Sequence, residues 1–425
     1  MAHPRVFIGL TEVAGYHANL KRGLESLGYE CTFINLRPHP FQYEGDDLPF
    51  PSVRLQRWAN LRLDASSSGL ARVLLFGIIQ LCNIPLFLWA LVRHDVFIFG
   101  HASTFFNFLE LPILKLFGKR IIFIFFGSDE RPAYLDGALM STQVGSTVAG
   151  CIRYVAKQKW RLRRIERYAD ILVSHPASAH LHEKRFVQWL AIGIPFTPAE
   201  GKIREVHRAP RATRILHAPS APKMKGSDNI RAAIRALQEK GYSIEYVEIS
   251  GKPHTVVLEE LQACDFVIDQ TYSDTPMAVF AAEAAAFGKP AVVGGYYVEH
   301  IRTDISEELI PPVVYCLPDQ ILEAAERLIA DEKFRLDLGR EAQAFVRERW
   351  NPSAVAERYV RMIEGTVPDS WYFDPGRITY LYGAGIPEDG VRSLVRTVIE
   401  TGRVGALQLS DKPDLEQRFR EFIGR

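Results

Sequence analysis

The feature that most constrains this chain is an alternation, made twice over, of short apolar runs with helix-length segments. In the first half the runs fall at 5–10, 30–36, 95–100, 120–126 and 170–174, and each is apolar almost without interruption. Strands of a parallel sheet look like this, because helices cover both faces and neither face meets water. Between the first two runs, Tyr16 to Leu27 puts Leu20, Leu24 and Leu27 on one helical face, and Gly28 follows where a helix stops. This predicts a doubly wound α/β domain over residues 1–196. A polar, basic tract without apolar periodicity, 197–212, predicts a linker. The alternation then restarts. Strands are expected to end at Ile215-Leu216-His217 and to cover 243–249, 265–269 and 290–293, with helices over 226–240, 255–263 and 276–287 between them. A second α/β domain is expected over 213–350. Charged helices over 320–346 and 352–364 follow, then helical stretches at 387–402 and 412–424. Residues 351–425 are expected to form an extension that returns to the first domain. Two such domains leave a cleft between them, and ligands bind at the carboxyl ends of parallel strands.

Composition narrows the function classes. Lys+Arg is 51 and Asp+Glu is 50, a formal net charge of +1, which argues against a dedicated nucleic-acid binder. The 47% apolar and 24% charged content is that of a globular chain, not a disordered one. The five cysteines, Cys31, Cys82, Cys151, Cys264 and Cys316, lie far apart with no CxxC spacing. They read as reduced, buried thiols of a cytoplasmic protein. The N-terminus runs straight into a strand pattern and carries no cleavable apolar segment.

Several loops at strand ends hold residues suited to chemistry. His217-Ala218-Pro219-Ser220-Ala221-Pro222-Lys223-Met224-Lys225-Gly226 joins a strand to a helix start. Free N–H groups, the helix dipole and two lysines suit a diphosphate there, and Gly226 admits close approach. A basic loop that only caps its helix remains the alternative. Asp269 to Pro276 is a second strand-end loop, and Glu283 follows it among alanines. A carboxylate can accept from both hydroxyls of a ribose, or simply face water. In the first half, His101 ends one strand and Asp129 follows another, where either can bind or deprotonate a hydroxyl. Asp129 can also be a turn carboxylate paired with Arg131.

Together these segments carry a resemblance. His217-Ala-Pro-Ser220, Lys225-Gly226, the strand ending at Asp269, and Glu283-Ala-Ala-Ala-Phe-Gly288-Lys289-Pro290 resemble the nucleotide-sugar half of the large retaining glycosyltransferases of family 4, or group 1, type. The resemblance implies the GT-B architecture, an α/β fold of two Rossmann-like domains facing a cleft. It implies a nucleoside diphosphate sugar as donor substrate, with no separate cofactor. No metal is expected, because no Asp-x-Asp cluster stands at a strand end and Lys225 can do that work. The resemblance places Lys225, with Ser220, Lys223 and Gly226, on the donor diphosphate, and Glu283 on the ribose. The family carries two glutamates separated by seven residues. Here the earlier position is Thr275, with Asp274 beside it, and Asp269 closes the preceding strand. The loop Gly9 to His17, with Gly15, resembles the family's first glycine-containing loop near the sugar. The expected activity is transfer to a hydroxyl of a glycan or lipid-linked glycan in cell-surface polysaccharide synthesis. A sugar-nucleotide epimerase and a non-catalytic nucleotide-sugar-binding subunit remain alternatives.

Two features point to a membrane surface. Val73 to Val92 is about twenty residues without a charge, interrupted by Gln80, Asn83 and Pro85. It reads as a helix that is buried or dipped into a membrane surface, with a membrane span as the lesser alternative. Arg153, Lys157, Arg161, Arg164 and Arg167 share one helical face beside Trp160, opposite Val155, Leu162 and Ile165. A basic face with a tryptophan suits an anionic surface. The expected location is the cytoplasm, peripheral at the inner face of a membrane, without nucleic acid as a partner.

Overall fold

The computed structural model describes residues 3–37, 50–65, 68–101, 103–140, 147–197 and 212–424. Most of the expected 197–212 linker therefore lies outside the described residues. Seven strands form the first sheet: β1 (Val6–Leu10), β2 (Cys31–Asn35), β3 (Val96–Gly100), β4 (Arg120–Ile124), β5 (Ile171–Ser174), β6 (Phe186–Gln188) and, from far along the chain, β12 (Tyr372–Phe373). Their order is β12-β6-β5-β4-β3-β1-β2. All pairs are parallel except β12 with β6. Strands β1 and β3 are buried throughout. The in-register Phe7 and Phe97 pack side by side across the sheet with ring centroids 5.4 Å apart and planes tilted by 36°.

The second sheet holds β7 (Thr213–His217), β8 (Ile244–Glu248), β9 (Phe266–Ile268), β10 (Ala291–Gly294) and β11 (Val314–Cys316), all parallel, in the order β11-β10-β9-β7-β8. In each sheet strand order reverses near the centre, so the crevice outside the carboxyl ends is where a ligand fits.

The chain's last part packs on the first sheet's domain. Helix Pro352–Glu364 lies against α1 (Tyr16–Ser26), where Gly23 comes so near Pro352 that a Cβ would sit 2.1 Å from its carbonyl oxygen. Only glycine fits that contact. The hydroxyls of Tyr16 and Tyr359 join the two helices at 3.1 Å. The 384–385 segment ties the two halves together: Gly137 N–H donates to Ala384, and Gly385 N–H donates to Tyr272, each at 2.9 Å.

The structure corrects three expectations. Residues 320–346 are two helices, Ile321–Ala330 and Glu332–Arg349. Asp331 leaves helical geometry between them, and its carboxylate accepts from Phe334 N–H at 2.8 Å, so it caps the second helix. Strands β6, β11 and β12, of two or three residues, are absent from the sequence pattern. The third correction concerns α3 (Gly69–Arg93), which pairs with α2 (Pro51–Ala65) as a helical hairpin. Among residues 73–92 the two polar side chains turn inward: Asn83 is buried and Gln80 lines a cavity. Leu74, Leu81, Ile84 and Leu88 are exposed, with Val92 at 79%. The uncharged stretch, expected as buried or dipped into a membrane surface, is thus only partly buried, with 33% of its most apolar window inside.

Candidate functional site

The carboxyl ends of β1 to β4 open into a cavity of about 570 Å3. Leu10 and Thr11 reach it from β1, Leu36 and Arg37 from β2, His101 and Ser103 from β3, and Ser128 and Asp129 from the loop after β4. The α2–α3 hairpin forms the opposite wall with Gln56, Asn60, Gln80 and Asn83. That wall is held by side-chain amides: Gln56 donates to Asn83 at 2.5 Å, Asn83 to the Phe105 carbonyl at 2.6 Å, and Asn60 to the Leu36 carbonyl at 3.1 Å. Arg161, from helix Val148–Tyr168, completes the lining.

Asp129 is the most unusual group in this cavity. Its residue is only 8% exposed, and Oδ1 accepts from Phe126 N–H at 2.9 Å. The other oxygen, Oδ2, is buried without a hydrogen-bond partner among the described residues. Burial, with the adjacent Glu130 charge, pushes its carboxyl from the ordinary 3.8 up to about 7. A carboxyl that half-ionises near neutrality and keeps one oxygen free is fitted to accept a proton. His101 lines the same cavity and takes a positive φ of 51°. The first loop lies beside them, and Gly15, in the left-handed region at φ 79°, starts α1. Glu12 accepts from the N–H groups of His17 and Ala18 at 3.1 and 3.0 Å, satisfying that helix start.

Asp129 is not hydrogen-bonded to Arg131. That guanidinium, 6% exposed, instead joins Asp136 at 2.6 Å and Asp274 of the second half. Burial works against the Asp274 charge, yet Arg131 holds its carboxyl below the usual range. A buried charge between two carboxylates links the halves at the edge of the cleft, and removing either side would strand the other. Thr275 sits next to it with its hydroxyl buried and unpartnered among the described residues. Glu130 turns away from the cavity to accept from Ser174, Ser178 and His182, a network inside the first domain.

On the second sheet, Lys225, Gly226 and Asp269 come together. Lys225 Nζ donates to Gln270 at 2.6 Å and lies 3.6 Å from Asp269, whose Oδ2 has no hydrogen-bond partner among the described residues. Gly226 is left-handed at φ 69°, and a Cβ there would strike Thr271 at 2.6 Å. It starts helix Ser227–Glu239 directly after the short helical turn Pro222–Lys225. His217 fixes the loop's root by contacts to Ile268 and Ser227, both 2.8 Å. Ser220 is exposed just before the short helical turn Pro222–Lys225, and Lys223 is exposed on that turn. Glu283, 6% exposed, pairs with His254 at 2.7 Å, and that bond raises the imidazole's pKa.

The structure thus groups His101 with Asp129, Lys225 with Gly226 and Asp269, and Asp274 with Arg131. Glu283 and His254 stand as a separate pair. The inward amides of the hairpin were missed as site residues in the sequence, and Arg161, expected on a basic face against an anionic surface, lines the cavity instead. For Gln80 and Asn83 the signal was two polar residues on one face of an otherwise apolar helix.

No family model matches the chain, and no curated protein matches it. Solved structures do. The catalytic domain of starch synthase IV from Arabidopsis thaliana, bound to ADP and acarbose, is 13% identical with a TM-score of 0.51, over 85% of this chain and 99% of that one. HepE of Anabaena, in complex with UDP-glucose, is 10% identical at a TM-score of 0.46, over 85% of this chain and all of that one. A spinosyn rhamnosyltransferase is 13% identical at 0.43, again over 85% of this chain and all of that one. At such identities the likeness is one of fold. With its two parallel sheets, the chain has the two-domain, Rossmann-like GT-B fold.

Proposed function

We propose that this protein is a glycosyltransferase that moves a sugar from a nucleoside diphosphate sugar to a hydroxyl of a glycan or lipid-linked glycan in cell-surface polysaccharide synthesis. It would work in the cytoplasm, at the inner face of a membrane. The observation that carries the reading is Asp129, a buried carboxylate with a free oxygen at the end of a parallel strand, in a cavity large enough for a sugar.

In this reading the acceptor hydroxyl enters the first-domain cavity and hydrogen-bonds Asp129 Oδ2. As its oxygen bonds to the anomeric carbon of the donor, the proton passes to Asp129. The bond from that carbon to the diphosphate oxygen breaks, and its electron pair leaves on the diphosphate. Lys225 and the start of helix Ser227–Glu239 supply positive charge where that negative charge grows. Ser220 and Lys223, at the short turn Pro222–Lys225, hold the outer phosphate oxygens. Glu283, oriented by His254, accepts from the ribose hydroxyls. Asp274 and Thr275, kept in place by Arg131, border the transferred sugar, with Gly15 and His101 across the cleft.

The reading is tested by incubating the protein with labelled nucleotide sugars and membranes as acceptor source. Label should enter the glycan or lipid fraction, with release of nucleoside diphosphate, and Asp129→Asn should abolish transfer. Absence of transfer from every donor would reject it.

A further inference from the structure

The cavity that holds Asp129 does not end at the hairpin. Phe76, Gln80 and Asn107 line it and also line a second pocket of about 360 Å3, whose other walls are mainly apolar: Phe106, Leu109 and Ile113. This pocket runs between α3 and the segment that leads into α4 (Leu111–Leu116). Beyond it both elements expose apolar side chains, Leu81, Ile84 and Leu88 on one and Leu116 and Phe117 on the other. In the polar cavity stand two guanidinium groups, Arg37 and Arg161, and Nη2 of Arg161 is buried with no partner among the described residues. The order from the polar cavity outward is thus a compartment that holds the free carboxylate and both guanidinium groups, then the apolar groove, then the apolar surface.

From this order we infer that the cavity and groove together bind an amphiphile with a phosphate between its hydroxyl-bearing head and a long apolar chain, drawn from a membrane on which α3 lies. This rests on the transferase reading for its role as acceptor. Arg161 and Arg37 bind the phosphate through charge-assisted hydrogen bonds. The chain follows Phe106, Leu109 and Ile113 outward, and the head's hydroxyl reaches Asp129. Between Arg72 and Arg93 the exposed positions of α3 carry no polar residue; such a face is costly in water and stable against lipid, which gives α3 a reason to carry its amides on the inside. A neutral sugar acceptor would need neither the arginines nor the groove.

Calorimetric titration with farnesyl phosphate, farnesol and inorganic phosphate, each below its aggregation limit, tests the assignment. Farnesyl phosphate should bind at least about tenfold more tightly than farnesol, because a charge-assisted hydrogen bond contributes that much, and inorganic phosphate should not bind detectably. Arg161→Gln should remove the advantage of the phosphate and leave farnesol unchanged. Ile113→Asn should weaken both isoprenoids alike. Thermal melts of both variants would confirm that they fold. Equal binding of farnesol and farnesyl phosphate, or an Arg161→Gln variant that still discriminates, would overturn the inference. So would a stable dimer that buries α3 and persists in lipid vesicles. Nucleotide-sugar binding, measured separately, distinguishes the outcomes: its loss rejects the transferase reading, while its presence without farnesyl phosphate binding rejects only this one.

Discussion

Replacing Asp129 with asparagine should stabilise the protein while it abolishes transfer. The folded carboxyl ionises at about 7 and the ordinary value is 3.8. Between those values the folded state keeps a proton that the unfolded state has lost. Stability is therefore fully present below pH 3.8 and is lost as pH rises through 7. The full difference corresponds to about 4 kcal/mol at alkaline pH. Asparagine cannot ionise and escapes that loss. Its carbonyl can still accept from Phe126, but its amide adds an unsatisfied donor where Oδ2 stood, a cost of about 1–3 kcal/mol. A net gain of roughly 1–3 kcal/mol is expected at pH 8, or several degrees in Tm. Thermal unfolding of both proteins from pH 4 to pH 8 reads this directly. The gap should open as pH rises and close or reverse near pH 4. In parallel, kcat/KM of the parent should rise through about pH 7 as Asp129 becomes a base. A pH-independent Tm difference, or a variant that is less stable at pH 8, would refute the placement of an uncompensated carboxyl in this cavity.

Other perturbations read other parts of the structure. Asp274→Asn leaves the buried Arg131 with Asp136 alone, and removing one partner of such a pair costs about 3–5 kcal/mol, so chemical denaturation should begin at lower urea. Lys225→Ala should weaken nucleoside diphosphate binding about tenfold to a hundredfold, measured by calorimetry, because it removes one charge-assisted contact. Normal binding would remove Lys225 from the site. The protein should sediment with anionic vesicles, less so at high salt and less so when Leu81 and Ile84 become Asp. Equal recovery in the supernatant with and without vesicles would contradict a peripheral location.

Much of the fold was legible because buried parallel strands and amphipathic helices leave strong periodicity. The runs that became β1 to β5 and β7 to β10 differ from the observed strands by only a few residues at their ends. Strands β6, β11 and β12 were not legible, since their pairing is decided by distant partners. The break at Asp331 was hidden for a different reason. Apolar spacing continues across it, and the cap depends on a single carboxylate. Among candidate site residues, Asp129 was visible as a polar residue after a strand, but its freedom from Arg131 was not. That freedom exists because Asp274, 143 positions away, takes the guanidinium instead. The basic face of helix Val148–Tyr168 divides in a way spacing does not reveal. Arg153, Lys157 and Arg167 are exposed, whereas Arg161 lines the cavity and Arg164 donates to the Phe108 carbonyl at 2.8 Å.

The measurement that bears most directly on the central claim is calorimetric binding of a panel of nucleoside diphosphate sugars to the parent protein, Glu283→Ala and Asp129→Asn. One donor should bind the parent in the micromolar range typical of substrates. Loss of one charge-assisted contact should weaken it about tenfold or more in Glu283→Ala. It should bind Asp129→Asn as it binds the parent, because Asp129 faces the acceptor. If no nucleotide sugar binds, or if Glu283→Ala binds all of them as well as the parent does, the account of a donor site on the second sheet is wrong.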